Sequence, residues 1–485
     1  MKFDYDVIII GSGPAGFSCA MQSTKFNKKV LIVEADDMNM GGSWINKGTV
    51  PSKALRSAAK LIQSFQSQFG DEKGRKPYQQ FRMEDIMKYK SPIVESKNRN
   101  YVDDIIKNEV HTARGWGRIT GKNEVEVIDL LKKKKKYTAE FILISTGSSP
   151  SQPKNFTIDH KQVLDYSSIV QLTHIPRRLV IIGGGIISLE FATTFAALGT
   201  RVAILNEGDE MLAFLDEEIK SQLNSILKSK TIQVVNNVSV DKISYNDLRT
   251  CSEVLYRTRD EDRLQVVETD HILFVGSKVP NIDNLGLEEL KIKVSDEGTI
   301  LTNNTYQTSV PNIYAAGDVI GQPALASASF LQGRLASANM FGSPDDATDG
   351  TRDMPYGIYS VPEISGIGLT EKQAIELGLE VTVGRAYYKS MTRAFLNHET
   401  DGMLKLVFRN DNLKLIGVHI IGEQASDMTH IGQAVMAFDG DIKYFIDRVL
   451  NYPTYAEAYK IAAFNGLNRL HKSGVKYKKI LDKNS

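Results

Sequence analysis

Two stretches of this chain repeat one order: a short β-branched run, a glycine cluster, a small-residue segment and a second apolar run. The first is Asp6-Val7-Ile8-Ile9-Ile10, then Gly11-Ser12-Gly13-Pro14-Ala15-Gly16, a segment through Cys19 and Ala20, and Val30-Leu31-Ile32-Val33 ending in Glu34. The second is Leu179-Val180-Ile181-Ile182, Gly183-Gly184-Gly185-Ile186-Ile187-Ser188, and Val202-Ala203-Ile204-Leu205 followed by Asn206. Apolar runs this short and unbroken suit strands buried on both faces of a parallel sheet. Strand, glycine turn, helix, strand is the βαβ unit that binds dinucleotides. Gly11 permits the tight turn, Gly13 lets backbone approach a pyrophosphate, and Gly16 lets helix pack on strand. The positive end of the helix then faces the phosphates, and Glu34 is placed to accept hydrogen bonds from a ribose. In the second unit Ser188 stands for the third glycine, and neutral Asn206 falls where Glu34 falls. Two units predict two nucleotides; a duplicated fold with one silent site is the alternative.

A chain of 485 residues exceeds a single core and predicts roughly two to four domains. Lys+Arg 59 against Asp+Glu 58 leaves a net charge of +1, so nothing global attracts nucleic acid or an anionic membrane. Cys19 and Cys251 are the only cysteines, too few and too far apart for a disulfide framework, a CxxC motif or a zinc site. No metal is expected. The start, Met1-Lys2-Phe3-Asp4-Tyr5-Asp6, is acidic where a secretion signal needs a basic start, and no apolar run approaches a membrane span. These features predict a cytoplasmic protein. The run Lys132 to Lys136 reads as a solvated hairpin tip.

The segment Gly41-Gly42-Ser43-Trp44-Ile45-Asn46-Lys47-Gly48-Thr49-Val50-Pro51-Ser52-Lys53 closely resembles the redox-active segment of the flavoprotein disulfide reductases. In that family two cysteines occupy the places held here by Trp44 and Thr49, and neither replacement can form a disulfide. Asn312-Ile313-Tyr314-Ala315-Ala316-Gly317-Asp318 resembles the family's segment that closes the FAD domain. Ser145-Thr146-Gly147-Ser148-Ser149-Pro150 and Ser277-Lys278-Val279-Pro280-Asn281 resemble its outward and return crossings between domains. The tail after Met354, with strand-like Leu404 to Phe408 and Leu415 to His419 and helix-like Thr429 to Phe438 and Tyr455 to Leu470, reads as a mixed βαβ-type unit. It resembles the family's dimer-interface domain.

The resemblance implies an α/β fold of two Rossmann-like three-layer domains plus a C-terminal α+β dimerisation domain, assembled as a homodimer or higher homo-oligomer. The expected divisions are 1–155 and 281–352 for FAD, 156–280 for the nicotinamide nucleotide, and 353–485 for dimerisation. It assigns FAD to Gly11, Gly13, Pro14, Ala15, Gly16, Glu34, Gly42, Ser43, Thr49, Lys53, Thr146, Gly147, Gly317, Asp318 and Ala326. It assigns the nicotinamide nucleotide to Gly183, Gly185, Ile186, Glu190, Asn206, Glu207 and Gly276. Lys53 and Glu190 correspond to the family's ion pair beside the reactive edge of the flavin, where a cation stabilises developing negative charge; ordinary surface charges are the alternative. Tyr452-Pro453-Thr454-Tyr455-Ala456-Glu457 keeps the family's glutamate as Glu457, but Tyr452 replaces its acid–base histidine.

These losses form a set. Gly48 to Arg56, Ala213 to Asp216, Gly317 to Gly321, Gly357 to Ser365, His430 to Ala434, Asn451 to Tyr459 and Asn465 to Leu470 are similar to the soluble pyridine nucleotide transhydrogenases. That resemblance covers nearly the whole chain. It implies hydride exchange between NAD(H) and NADP(H) through bound FAD, in ping-pong order. One loop departs from the pattern: Asn206-Glu207-Gly208-Asp209-Glu210 has glycine and glutamate where the family carries arginines for the NADP 2′-phosphate. This predicts a preference for NADH. Three activities therefore stand: transhydrogenase, an NADH-dependent diaphorase or oxidase serving a quinone, oxygen or another acceptor, and a non-catalytic FAD-binding relative.

Overall fold

The computed structural model describes residues 2–36, 40–69, 81–246, 249–259, 261–342 and 354–472. Both glycine units form the βαβ arrangement their apolar runs predict. Around the first, strands His111–Arg114, Val30–Glu34, Tyr5–Ile10, Lys134–Ile144 and Ile313–Ala315 lie side by side in parallel. Their central residues, Val7 to Ile9 and Ile142 to Ile144, are fully buried, as strands covered on both faces must be. Helices Pro14–Lys25 and Ala326–Phe341 cover one face and pack on each other. Around the second unit the parallel order is Gln233–Val235, Arg201–Leu205, Arg178–Ile182, His271–Phe274 and Val163–Leu164. A three-stranded antiparallel sheet, Val238–Asn246, Cys251–Thr258 and Glu261–Thr269, is inserted before the return strand.

Chain passes from the first sheet to the second and back through a two-stranded ribbon. Ser148–Pro150 pairs antiparallel with Lys278–Pro280, and Asn281 is hydrogen-bonded to Thr146 and Gly147 on the outgoing segment. The two crossings are thus one joint, and the residues flanking it are held at the edge of the first sheet.

The C-terminal part differs from the βαβ-type reading. Its five strands, in the order Tyr356–Ile358, Glu363–Gly368, Leu415–Gly422, Met403–Arg409 and Val381–Tyr387, are all antiparallel. Only a short turn separates Met403–Arg409 from Leu415–Gly422, too little chain for a parallel crossover. Helices Ala425–Ala437 and Glu457–Lys472 pack on this sheet through Val418, Tyr459 and Ala463. The lysine run also resolves differently in part. The turn spans residues between Glu124–Ile128 and Lys134–Ile144, while Lys134 and Lys136 already belong to the second strand and pair with Glu126 and Glu124. The expected division at 352/353 lies outside the described residues.

One buried cluster ties the helix Thr49–Phe69 to the second and C-terminal sheets, running from Leu55 and Ala59 through Leu189 and Ile204 to Ile358 and Ile421. A buried ionic tie reinforces it. Lys405 of the C-terminal sheet, 1% exposed, contacts Asp216 at 2.9 Å, Glu218 at 2.8 Å and Glu371 at 2.8 Å. Arg385 clasps Glu218 from the neighbouring strand. Asp216 caps the helix Glu217–Ser229 of the second unit, so the tie fixes that unit against the C-terminal sheet.

Candidate active site

A cleft of about 830 Å³ opens where the first sheet, the helix Thr49–Phe69, the helix Ile186–Ala197 and the start of the C-terminal sheet meet. Its floor is the first glycine turn. Gly11 has φ +105°, and a side chain there would collide with the carbonyl of Ser145; one at Gly16 would strike the carbonyl of Gly11. Nothing lies within 4 Å of the place where a Gly13 side chain would project, so this backbone faces open cleft. Glu34 is anchored rather than adrift. Its carboxylate accepts from the Ser12 N–H at 3.0 Å, from the Ser12 hydroxyl and from the Asp36 N–H at 2.8 Å. Trp116 and its flanking glycines line the same end of the cleft; nothing in the sequence singles them out.

Lys53 and Glu190 meet in the cleft wall. The ammonium donates to Glu190 Oε2 at 2.6 Å, with side chains 28% and 10% exposed. Each sits near the start of its helix, and those two helices pack together, which brings distant sequence positions to one spot. The other carboxylate oxygen accepts the Tyr359 N–H at 2.9 Å, and the Lys53 ammonium lies 5.1 Å from the centre of the Tyr359 ring. Tyr359 was not among the expected site residues, although it lies in the recognised Gly357 to Ser365 segment. Its phenol is pushed to a higher pKa, chiefly by burial, with Glu363 adding to it. It remains a neutral hydroxyl at the cleft wall.

Trp44, expected at a cysteine position of the resembling family, lines the same cleft. Its ring meets Phe330 edge-on at 5.2 Å, Phe330 meets Phe17 at 6.3 Å, and Phe17 lies 4.7 Å from Tyr101. Together they form an aromatic layer along the cleft. The indole Nε1–H is buried and finds no acceptor within the protein. Gly42, Ser43 and Thr49 line the cleft beside it.

Asp318 is held at the joint between domains, accepting from Lys278 Nζ at 2.7 Å and Ser148 Oγ at 2.8 Å. Its carboxylate reaches the cleft along with Gly317, Thr146, Gly147 and Ala326. Tyr166 faces the same region, and burial first, then the Asp165 and Asp318 carboxylates, push its phenol up to about 12. Lys278, Ser148 and Tyr166 extend the expected set.

Of the residues expected at the nicotinamide nucleotide, Ile186 and Glu190 line the cleft, while Gly183, Gly185, Asn206, Glu207 and Gly276 lie beyond it around the same helix start. Gly185 is the helix N-cap, with nothing near its missing side chain. Asn206 is folded inward: its amide donates to the Gly208 carbonyl and to Asn236 Oδ1, both at 2.9 Å. The acidic loop is partly compensated. Glu210 meets Lys220 at 2.7 Å and Asp209 lies 3.7 Å from Arg259 of the inserted sheet, while Glu207 is exposed.

Tyr452 and Glu457 do not join Lys53 and Glu190 within one chain. Tyr452 is 66% exposed, with its hydroxyl 2.6 Å from that of Thr392, and neither residue lines the cleft. Glu457 Oε2 is buried without a partner. Among the described residues no group of three or more His, Cys, Asp or Glu is placed to hold a metal, and no helix is long and apolar enough to cross a membrane.

The residues present fit an FAD. Backbone at Gly13 is open where a pyrophosphate would lie, an anchored acid stands where a ribose would lie, and the orphaned Trp44 Nε1–H awaits an acceptor. Comparison with known proteins agrees. Residues 5–333 match the pyridine nucleotide-disulphide oxidoreductase family, and residues 354–463 match its dimerisation domain. The soluble pyridine nucleotide transhydrogenase of Marinomonas sp. (strain MWYL1) is 38% identical over 469 residues, 96% of this chain and 99% of the relative. That of Hahella chejuensis (strain KCTC 2396) is 37% identical over 472 residues, 97% and 99% of the two chains. The HOCl-induced flavoprotein disulfide reductase RclA from Escherichia coli superposes with a TM-score of 0.83 over 95% of this chain and 99% of its own, at 24% identity, which shows a shared fold.

Proposed function

The chain belongs to the pyridine nucleotide-disulphide oxidoreductase family, and we propose that it is an FAD-dependent transhydrogenase that moves hydride between NAD(H) and NADP(H) at a single cleft, without a dithiol. The observation that carries this reading is the pairing of an intact Lys53–Glu190–Tyr359 wall with Trp44 in place of a redox sulfur. Bound in the cleft, FAD supplies the carrier that takes hydride from one nicotinamide and yields it to the next. Lys53 places a cation where negative charge builds up on the cofactor, and Glu190 holds that cation in position without leaving the pair uncompensated. Tyr359 fixes the carboxylate through its N–H and covers the ammonium with its ring, an arrangement that lowers the freedom of the lysine. Ile186, at the first turn of the neighbouring helix, forms the apolar part of the mouth through which a nicotinamide enters.

With no sulfur to receive electrons, donor and acceptor use that mouth in turn, which is a ping-pong order. The divisions at 1–155, 156–280, 281–352 and 353–485 organise this reading. Tyr452 and Glu457 lie within the matched dimerisation region and away from their own cleft, so a role for them in catalysis requires a second copy of the chain. A homodimer in the cytoplasm is the assembly and setting proposed.

A second reading is favoured by one feature. The Glu207 to Glu210 loop carries net negative charge even after Lys220 and Arg259 are counted, which disfavours a 2′-phosphate and suits an NADH-driven diaphorase or oxidase. Anaerobic stopped-flow reduction by NADH and by NADPH, followed by reoxidation with thio-NAD⁺ or a quinone, tests both. Rapid turnover to thio-NAD⁺ supports the transhydrogenase; reoxidation by quinone alone replaces it with the second reading.

A further inference from the structure

At the N-terminal end of the internal strand His271–Phe274 of the nucleotide-binding sheet, His174 and His271 face each other nitrogen to nitrogen. Their Nε2 atoms are 3.1 Å apart and their rings 5.0 Å, tilted by 44°. His271 begins the strand His271–Phe274, is 8% exposed, and brings its Nδ1 to 2.9 Å from the Lys161 carbonyl oxygen. A carbonyl accepts only, so His271 is the Nδ1–H tautomer and its Nε2 carries a bare lone pair. His174 is exposed, in the segment entering the strand Arg178–Ile182. That segment is pinned on both sides, by Thr200 Oγ1 to the Pro176 carbonyl at 2.7 Å and by Asp270 to the Arg177 N–H at 2.8 Å.

We propose that His174 and His271 form a two-histidine chelate for a borderline divalent cation, Cu²⁺ or Zn²⁺, on the nucleotide-binding domain. Two nitrogens bound at about 2.0–2.1 Å and subtending a right to tetrahedral angle stand roughly 2.9–3.4 Å apart, which the observed spacing meets. Metal-bound imidazoles characteristically donate their other N–H to a backbone carbonyl, the arrangement His271 already has. Nitrogen ligands of this type favour Cu²⁺ over Zn²⁺. Without metal, the His174 Nε2–H donates to the His271 lone pair; metal takes over both lone pairs as the His174 proton moves to its exposed Nδ1. No third protein ligand is placed among the described residues, so water completes the coordination. The ion staples the segment before Arg178–Ile182 to the return strand His271–Phe274.

The test uses the full-length, FAD-loaded protein. Zn²⁺ titration by calorimetry and Cu²⁺ by electron paramagnetic resonance should show one equivalent bound, with two equatorial nitrogens for copper and a raised melting temperature. His174→Ala, an exposed change that leaves the circular dichroism spectrum intact, should weaken binding by about tenfold or more and reduce the copper signal to one nitrogen. His471→Ala, at the exposed end of the last helix, should leave both unchanged. Wild-type affinity retained in His174→Ala, or binding equally lost in His471→Ala, overturns the proposal. So does the failure of the wild type to bind one equivalent.

Discussion

Glu190→Gln separates a working ion pair from a merely structural one. The amide keeps the size of the carboxylate and can still accept the Tyr359 N–H, now at 2.9 Å. What it loses is the charge facing Lys53 at 2.6 Å. A hydrogen bond between charged groups contributes about 1.5–3 kcal/mol, and the 28% exposure of Lys53 places this pair at the lower end, about 1.5–2 kcal/mol. If that energy holds the ammonium in its catalytic position, flavin reduction by saturating NADH falls about ten- to thirtyfold, at roughly 1.4 kcal/mol per decade. The assay is single-turnover absorbance of the flavin band under anaerobic conditions, with thermal unfolding measured alongside. Lys53→Met should slow reduction at least as much, because it removes the cation itself. A Glu190→Gln protein that melts lower but reduces its flavin within twofold of wild type would refute the functional assignment, leaving the pair as a tie between two helices.

Gly13→Val should fold, since nothing in the protein occupies the space its side chain enters, yet purify without flavin, read from the visible spectrum; Gly16→Val should fail to fold, because its side chain strikes the Gly11 carbonyl. Gly208→Arg with Glu210→Arg should raise the NADPH-to-NADH ratio of kcat/KM. A wrong-sign pair at about 4 Å is worth on the order of 4 kcal/mol at an effective dielectric of 20, and solvation of this exposed loop reduces that to a ten- to hundredfold gain; a wild type already indifferent between the two nucleotides would contradict the premise. Acid should loosen the tie between the second unit and the C-terminal sheet. Burial opposes ionisation of Glu218, but hydrogen bonds from Arg385 and Lys405 outweigh it and bring its pKa from 4.5 down to about 2. A depressed carboxylate contributes stability that is present above its unfolded value and lost as pH falls through its folded one. Unfolding free energy should therefore drop by about 2 kcal/mol between pH 4.5 and 2, allowing for partial exposure, and Glu218→Gln should flatten that part of the profile.

Much of this architecture is legible in the residues. Buried parallel strands announce themselves because both faces must be apolar, and Gly11, Gly16 and Gly183 fall where backbone crowding leaves no room for a side chain. The C-terminal sheet is less legible: alternating and continuous apolar runs coexist there, and strand direction is set by the shortness of the Asn410 to Lys414 turn rather than by any motif. Tyr359 escaped notice because its contribution to Glu190 is a main-chain N–H, which any residue type supplies. Ion pairs such as Glu210 with Lys220 are invisible until the helix Glu217–Ser229 folds back on the loop, so a count of acids overstates the field there. Tyr452 illustrates the opposite limit. Its motif is strong in sequence, but among the described residues its hydroxyl meets Thr392 and the side chain is otherwise largely exposed.

In the proposed reading, the far wall of the cleft limits what the acceptor can be. A thiol lies behind the aromatic layer, in the same buried cluster as Trp44, but burial pushes Cys19 up to about 12, so it stays protonated and unreactive as a nucleophile. Cys251 is buried in the inserted sheet of the other unit. Among the described residues no cysteine lines the cleft, and the Trp44 ring meets Phe330 edge-on. In the proposed reading, an acceptor approaches past Ile186, Tyr359 and the Lys53–Glu190 pair, as the donor does. In that reading, the choice between NADP⁺ and NAD⁺ falls to the Asn206 to Glu210 loop and the helix start beside it, outside the cleft lining. The proposed reading thus assigns catalytic competence and acceptor choice to separate parts of the chain, so that the wall can stay intact while the loop differs in charge.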